Sequence, residues 1–375
     1  MIVKKPSILF VHPDLRGGGA EKVLVNLLNS MDTEKYNIQL LTYFEQGVNR
    51  KDLSPAIKQR YIFKKVFRGW SVLQKIFSPR QLYKLFISEK YDVIIAYLEG
   101  VPTRMVSGCP HKETKLISWL HTDLHLAGIE GVYRSEKEMK ACYAKFDKVI
   151  AVSKKVLSAG LSYCALHPEK GAVIHNVINT IDIIASGQVP LNGLSIKNNT
   201  FNICSVGRLT KIKGYDRLIE VFSKLIRKHP RTHLYLLGIG EDKVTLENHV
   251  KQHHLDSNIT FLGFQKNPHQ FVSKCDLFVC SSYNEGYSTA VTESVILGTP
   301  VLTTNCPGMD EILDNGDTGM IVENSTEGIY QGLVALLSQP GLLSDYAEKT
   351  RRKSSYYQQN NNAIKVEVLI DTLLN

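Results

Sequence analysis

The sequence predicts an α/β protein built as two successive domains, each a parallel, doubly wound sheet of the Rossmann-like kind. Three observations carry this expectation. Short apolar, β-rich runs alternate with helical periods along the chain, the mark of repeated strand–helix units. The alternation restarts once, after a polar interval with Gly and Pro at 186–200, SGQVPLNGLSIKNNT. The length of 375 residues exceeds the roughly 250–300 residues at which a single core stops growing.

In the first half, SILFVHP reads as a buried strand and GGGAEKVLVNLLNSM as a helix opened by glycines. NIQLLTYF is a strand, and the amphipathic QLYKLFISEK precedes the strand YDVIIAYL. KLISWLH and FDKVIAVS are strands, SKKVLSAGLSYC is a helix with Ser153 as its N-cap, and AVIHNV closes the half. In the second half, FNICSVGRL is a strand and YDRLIEVFSKLIRKHP a helix ended near Pro230. HLYLLGIG, NITFLGF, CDLFVCSS and TPVLTT are strands with helices between them, and GMIVEN is a last short strand. From Thr326 the chain is mostly helical, interrupted near Gln339-Pro340-Gly341. The expected domains are 1–185, a linker at 186–200, 201–355, and a helix at 356–375 packing back on the first domain. The carboxyl ends of the two sheets would line a cleft, where open α/β sheets bind ligands.

Composition excludes several classes. With 43% hydrophobic and 22% charged residues, the chain is not disordered, collagen-like or a coiled coil. No stretch reaches the roughly 20 apolar residues that span a bilayer. The opening MIVKKPSILFVHP has only a short apolar run, a first strand rather than a secretory signal. Seven cysteines, an odd number without a C-x-x-C pair, suit a reducing cytoplasm.

Charge is uneven. Residues 1–190 carry 27 Lys/Arg against 17 Asp/Glu, a net of +10, while residues 191–375 carry 18 against 19, a net of −1. From Leu53 to Ser88 there is no acidic residue, but there are Lys58, Arg60, Lys64, Lys65, Arg68, Lys75, Arg80 and Lys84, interleaved with seven aromatic residues. This mixture suits an anionic membrane surface, at about 1 kcal/mol per cation. It also suits single-stranded nucleic acid, or a helix pair with an aromatic core and a solvated basic face.

Four places carry candidate chemistry. In SSYNEGYSTAVTESVILGTPVLTT, Glu285 lies in a loop after a strand and Glu293 in the helix that follows, which stops at Gly298. The helix N-terminus can hold a phosphate, and carboxylates accept from paired hydroxyls, so the pattern suits a sugar–phosphate–nucleoside ligand. Two glutamates in a loop and on a solvated helix face would look the same. In SVGRLTKIKGYDRLIEVF, Arg208 and Lys213 could neutralise a diphosphate, or serve as surface cations. Gly17-Gly18-Gly19 allows backbone N–H groups to approach an anion, or makes a tight turn. His121, directly after an apolar strand, could bond a hydroxyl or act as acid or base, with Asp123 and His125 competing for the role.

Taken in order, GGGAEKVLVNL, WLHTD, VGRLTKIKG, the Glu285-Gly286-Tyr287 loop with Glu293, and LGTPVLTT resemble glycosyltransferase family 4 of the GT-B fold, and in particular its bacterial surface-polysaccharide members. The likeness runs from Ile8 to about Leu337 and is strongest from Ser205 to Thr304. It implies that Arg208 and Lys213 bind the donor diphosphate, Glu293 the ribose hydroxyls, and Glu285 the transferred sugar. It implies backbone contacts from Gly286, Tyr287, Ser288 and Thr289, a position near the diphosphate for Gly18 and Gly19, and a contact of His121 with the donor sugar. Val177 after Asn176 departs from the family's usual glycine, and Tyr287 replaces its commoner phenylalanine.

The resemblance implies transfer of a hexose or N-acetylhexosamine with retention, from a nucleotide sugar such as a UDP-sugar, with no cofactor and no metal. The acceptor hydroxyl would attack on the face the phosphate leaves, and the phosphate would take its proton. The acceptor would be a glycan, lipid-linked and reached by docking 53–88 on the membrane, which makes the protein a cytoplasmic, peripheral one and not a nucleic-acid binder. Two rivals are a nucleotide-sugar epimerase of the same fold and a non-catalytic module that binds membrane or anions. A nicotinamide oxidoreductase fits poorly, since the glycine run lacks the third spaced glycine.

Overall fold

The computed structural model describes residues 4–67, 69–125, 128–191, 195–359 and 362–375. Arg68 of the basic stretch and residues 192–194 of the expected linker lie outside them. The chain divides into two compact units, residues 1–178 with 361–375, and residues 179–360.

The first unit runs β1 (Ser7–His12), α1 (Gly19–Ser30), β2 (Asn37–Phe44), β3 (Lys58–Phe63), α2 (Trp70–Ile76), α3 (Pro79–Phe86), β4 (Val93–Ala96), α4 (Val101–Val106), β5 (Lys115–Leu120), α5 (Glu136–Ala144), β6 (Lys148–Ala151), α6 (Lys154–Cys164) and β7 (Gly171–Val173). All pairings are parallel, in the order β3-β2-β1-β4-β5-β6-β7. Strands covered on both faces read as continuous apolar runs, and β1 buries Ile8, Leu9, Phe10 and Val11. Helix α1 turns Val23, Leu24, Leu27 and Leu28 inward and has Glu21 in its first turn, on the favourable side of the helix dipole. Ser153 caps α6 by accepting from the Val156 N–H.

The second unit runs α7 (Thr180–Gly187), β8 (Phe201–Val206), α8 (Tyr215–Lys228), β9 (Thr232–Leu237), α9 (Lys243–Gln252), β10 (Ile259–Gly263), α10 (His269–Val272), β11 (Leu277–Cys280), α11 (Thr289–Ile296), β12 (Val301–Thr304), α12 (Met309–Ile312), β13 (Met320–Val322), α13 (Thr326–Ser338) and α14 (Pro340–Gln359). Its sheet is parallel in the order β10-β9-β8-β11-β12-β13. The core gathers Leu218, Ile219, Phe222 and Leu225 of α8 under Ile203, Leu234, Leu277 and Leu302. A last helix, α15 (Asn362–Leu374), belongs to the first unit. Asp371 accepts from the Tyr36 hydroxyl at 2.6 Å and the Lys35 ammonium at 2.5 Å, and Val366 and Ile370 are buried.

In each sheet the strand order reverses once, between β1 and β4 and between β8 and β11. Connections on the two sides of such a point leave toward opposite faces, so a crevice opens above the carboxyl ends of the strands. The residues of interest stand at these two points.

Several expectations are corrected. The basic stretch is not a helix pair throughout: Lys58–Phe63 is a strand at the sheet edge, whose part-exposed residues gave no apolar run. The expected limit at 185 and the start of the expected linker fall inside α7, which Asn179 caps by accepting from the Asp182 N–H at 3.2 Å. The short helices α4 and α5 were not expected. Each of these elements is made by tertiary packing rather than by a strong local period.

The stretch after β3 is held by two arginines. The carbonyls of Gln74 and Phe77 accept from Arg104, and those of Lys75 and Ile76 from Arg134, so the open C-terminal end of α2 meets cations. Arg104 is fully buried and pairs with Glu138 of α5 at 2.9 Å. Arg104→Ala leaves the Glu138 carboxylate with the Arg134 backbone N–H but no cation at its buried side, and takes the donor from the Gln74 and Phe77 carbonyls, which should cost about 3–5 kcal/mol. Urea unfolding measures the loss, and limited proteolysis should then cut first between residues 64 and 90. A variant as stable as the wild type would contradict this role.

Candidate functional site

The best-formed site lies in the second unit, where β8 and β11 part. The loop after β8 carries Arg208 and Lys213, and the loop after β11 carries Tyr283 to Tyr287. The loops are joined along their lengths. The Tyr283 N–H donates to the Ile212 carbonyl at 2.8 Å, and the Ser281 hydroxyl to the Lys213 carbonyl at 3.0 Å. Gly214 makes this approach possible. Its φ is +65°, and a Cβ there would lie 2.1 Å from the Ser281 carbonyl oxygen.

Arg217 of α8 locks the second loop from below. Its guanidinium is buried, donates to the carbonyls of Ser281 and Ser282 and to Asn324, and lies 3.9 Å from the centre of the Tyr283 ring. Sequence reasoning missed Arg217, Ser282 and Asn324. Nothing in the spacing reveals that an arginine in the first turn of a helix turns under the neighbouring strand.

On this frame Lys213 Nζ and Glu285 Oε1 form an ion pair at 2.6 Å, and the Ser282 hydroxyl donates to the same oxygen at 2.6 Å. Burial alone would lower the Lys213 pKa, but the Glu285 carboxylate outweighs it and holds the ammonium above the ordinary lysine value. Among the described residues Glu285 Oε2 has no donor. Arg208 is exposed, and no carboxylate among the described residues pairs with it.

Helix α11 begins as expected. Ser288 is its N-cap, accepting from the Val291 N–H, with Thr289 as the first helical residue and Gly298, φ +74°, just beyond its end. Glu293 projects from this helix beside His269, at 3.2 Å. Gly286 and Tyr287 are buried between the ion pair and the helix, and the Tyr287 hydroxyl meets that of Tyr357 on α14 at 3.4 Å. The extra hydroxyl relative to phenylalanine therefore tethers the loop to α14.

The first unit holds a different cluster where β1 and β4 part. Gly18 caps α1 and Gly19 opens it. His12, Tyr97, Trp119 and His121 end β1, β4 and β5, with ring centres 4.8 Å apart for Tyr97–His121, 4.7 Å for Tyr97–Trp119 and 6.3 Å for His12–Tyr97. His12 Nδ1 donates to the Asp14 carbonyl at 2.7 Å, which leaves Nε2 as an acceptor in the neutral ring. Burial lowers the His12 pKa to about 4. Burial and then His12 lower that of His121 to about 3, so both rings are neutral near pH 7. The His121 backbone N–H donates to Glu99 Oε2 at 2.9 Å, and burial raises the Glu99 pKa to about 7. Asp123 accepts from the His125 N–H, and His125 is exposed against Tyr163, so neither joins the ring cluster.

Comparison with known proteins places the chain. The family described as Glycosyl transferases group 1 matches residues 192–353, and Glycosyltransferase Family 4 matches residues 17–181. The chain belongs to the family 4-like glycosyltransferases of the GT-B fold. A lipopolysaccharide core biosynthesis glycosyltransferase of Rhizobium meliloti, LpsE, is 24% identical over 89% of this chain and 90% of its own length. The N-acetylgalactosamine-N,N'-diacetylbacillosaminyl-diphospho-undecaprenol 4-alpha-N-acetylgalactosaminyltransferase of Campylobacter jejuni is 29% identical over 62% of this chain and 60% of its own length. The crystal structure of Anabaena HepE with UDP and glucose shares the fold, with a TM-score of 0.75 at 17% identity, over 98% of this chain and 99% of that one.

Glu99 gives a pH signature. Its folded pKa of about 7 lies above the ordinary 4.5, so its ionisation opposes folding increasingly from pH 4.5 to 7 and in full above that. The melting temperature of Glu99→Gln relative to wild type should therefore rise between pH 5 and pH 8. A difference that stays constant over this range would contradict a buried, titrating Glu99.

Proposed function

We propose that this protein transfers a hexose or N-acetylhexosamine from a UDP-sugar, with retention, to a hydroxyl of a lipid-linked glycan in the synthesis of a bacterial surface polysaccharide. The observation that carries this reading is the Lys213–Glu285 pair at the parting of β8 and β11, with Arg208 on the same loop as Lys213 and Glu293 on the helix that follows Glu285. In this reading the two cations, Lys213 and the exposed Arg208, bind the diphosphate, and the two carboxylates recognise hydroxyls, Glu285 those of the transferred sugar and Glu293 those of the ribose. Gly286 to Thr289 bring backbone N–H groups to the start of α11, which favours a phosphate. The names of the Rhizobium and Campylobacter relatives and the UDP bound to HepE support the polymer, the diphosphate-linked lipid and the nucleotide.

The chemistry follows from this placement. Departure of UDP builds negative charge on the β-phosphate, and Arg208 and Lys213 stabilise it without a metal. Lys213, already fixed by Glu285, needs little reorganisation. The acceptor hydroxyl attacks from the face the phosphate leaves, forming the new C1–O bond as the C1–O–phosphate bond breaks, and its proton passes to the phosphate oxygen. The neutral His121 in the first unit suits a sugar hydroxyl better than an anion.

Lys213→Ala should lower kcat by about 10²–10³-fold, the cost of about 2.7–4 kcal/mol for one electrostatic donor. Product formation from radiolabelled UDP-sugars, with circular dichroism to verify the fold, checks it, and near-wild-type turnover would remove Lys213 from the site.

The stretch 53–88 supports the membrane part of the reading in a modified way. Phe63, Phe67, Trp70 and Phe86 pack edge to face on one another, with ring centres 5.0–6.2 Å apart, so most of the aromatics are structural. Among the described residues the apolar side chains left exposed are Val66, Val72, Ile76 and Leu85, with Tyr61 and Phe67 at the edge. Lys64, Lys65, Lys75, Arg80 and Lys84 are exposed in the same segment. Anionic lipid answers both features, with each cation contributing about 1 kcal/mol. No helix among the described residues is long and apolar enough to cross a membrane. The protein should float with phosphatidylglycerol vesicles at low salt and much less at 0.5 M salt, and Lys64→Glu with Lys65→Glu should weaken flotation. Equal flotation with neutral vesicles would argue against an electrostatic surface.

A further inference from the structure

Glu293, which the proposed function assigns to the ribose, is touched by a side chain outside all the sequence motifs. His269 Nε2 lies 3.2 Å from Glu293 Oε2. A carboxylate only accepts, so Nε2 carries the hydrogen and donates. The His269 side chain is 8% exposed, so this bond is sheltered from competing water.

The short helix α10, which supplies His269, is tied down on several sides. Asn267, just before it, donates to the Ser186 carbonyl at 2.9 Å, and Ser273, just after it, to the Gly187 carbonyl at 2.7 Å. The Thr299 hydroxyl, beyond the end of α11, donates to the Val272 carbonyl at 2.9 Å. The imidazole thus has a seat fixed by α7 on one side and by the chain entering β12 on the other. Glutamate has three rotatable side-chain bonds, and holding it in one rotamer forfeits up to about 2 kcal/mol of conformational freedom. If the folded protein has already ordered the carboxylate, ligand binding does not bear that cost.

We infer that His269 is a positioning residue for the donor. Its Nε2–H holds one oxygen of Glu293 and aims the carboxylate at the ribose hydroxyls, so His269 sets affinity for the ribonucleoside without touching it. The inference rests on the ribose role of Glu293, and the test separates the two.

Binding of UDP and of 2′,3′-dideoxy-UDP is measured by titration calorimetry on the full chain for the wild type, Glu293→Ala, His269→Ala, His269→Gln and the double alanine variant. Glu293→Ala should lose the preference for UDP over the dideoxy analogue; if it keeps that preference, the ribose reading fails and the inference with it. Given that loss, His269→Ala should weaken UDP about tenfold, the equivalent of losing the ordered rotamer, and leave the dideoxy analogue unchanged. His269→Gln, whose amide can also donate, should recover part of the affinity, and the double variant should bind UDP no worse than Glu293→Ala alone. A His269→Ala protein that binds both ligands like the wild type overturns the inference. So does one that loses affinity for both equally, with further loss in the double variant, because His269 would then only support the fold.

Discussion

The second unit depends on one close approach, that of the loop after β8 to the loop after β11. Both loops leave the sheet where the strand order reverses, and on their own they would diverge. Gly214 admits the Ser281 carbonyl into space a Cβ would fill, and Arg217 gathers the carbonyls of Ser281 and Ser282 from the other side. With the loops so joined, Lys213 and Glu285 meet although 71 residues separate them between the two. The pair is part-buried, which strengthens its attraction and also makes either charge costly alone. A cation held in place by a carboxylate is ready for an anionic ligand before the ligand arrives.

The two units solve the problem of polar groups at strand ends in opposite ways. The second places charges there, pairing Lys213 with Glu285 and leaving Arg208 to solvent. The first places aromatic and imidazole rings there and keeps them neutral by burial. His12 Nε2, Tyr97 Oη, Trp119 Nε1 and His121 Nε2 are buried without hydrogen-bond partners among the described residues. A buried polar atom without a partner costs about 1–3 kcal/mol, so four in one cluster mark a place kept for something other than stability. Glu99, pushed toward neutrality on the edge of this cluster, belongs to the same uncharged environment.

The basic stretch shows how composition can conflate two roles. Its aromatics and its cations look like one surface in the sequence, but the structure separates them. Most of the rings turn inward between the sheet edge and the helices α2 and α3, and the arginines of α4 and the α5 approach fasten the end of α2 by its last carbonyls. What remains outside is mainly aliphatic and cationic, with Tyr61 and Phe67 part-exposed at its edge. The edge strand β3 carries Lys58 and Arg60, and charge of this kind also guards an open edge against pairing with another chain.

By itself the sequence determined most of the strands, though not the edge strand β3, together with the two-part α/β architecture and the residues at the ends of β8, β11 and β5. Buried parallel strands must be continuous apolar runs, and the loops that follow them are short, so Arg208, Lys213, Glu285 and His121 could be assigned to strand ends by counting. Caps such as Ser153 and Ser288 were legible because they act within three residues of themselves. Tertiary structure alone decided which of these residues meet and which neighbours hold them. The orientation of Arg217 beneath a loop, the seat of His269 against Glu293 and the tether between Tyr287 and Tyr357 depend on helix packing between segments remote in the chain. No local period encodes such contacts, and the same holds for α7, a short helix that runs across the expected domain limit into the first residues of the expected linker.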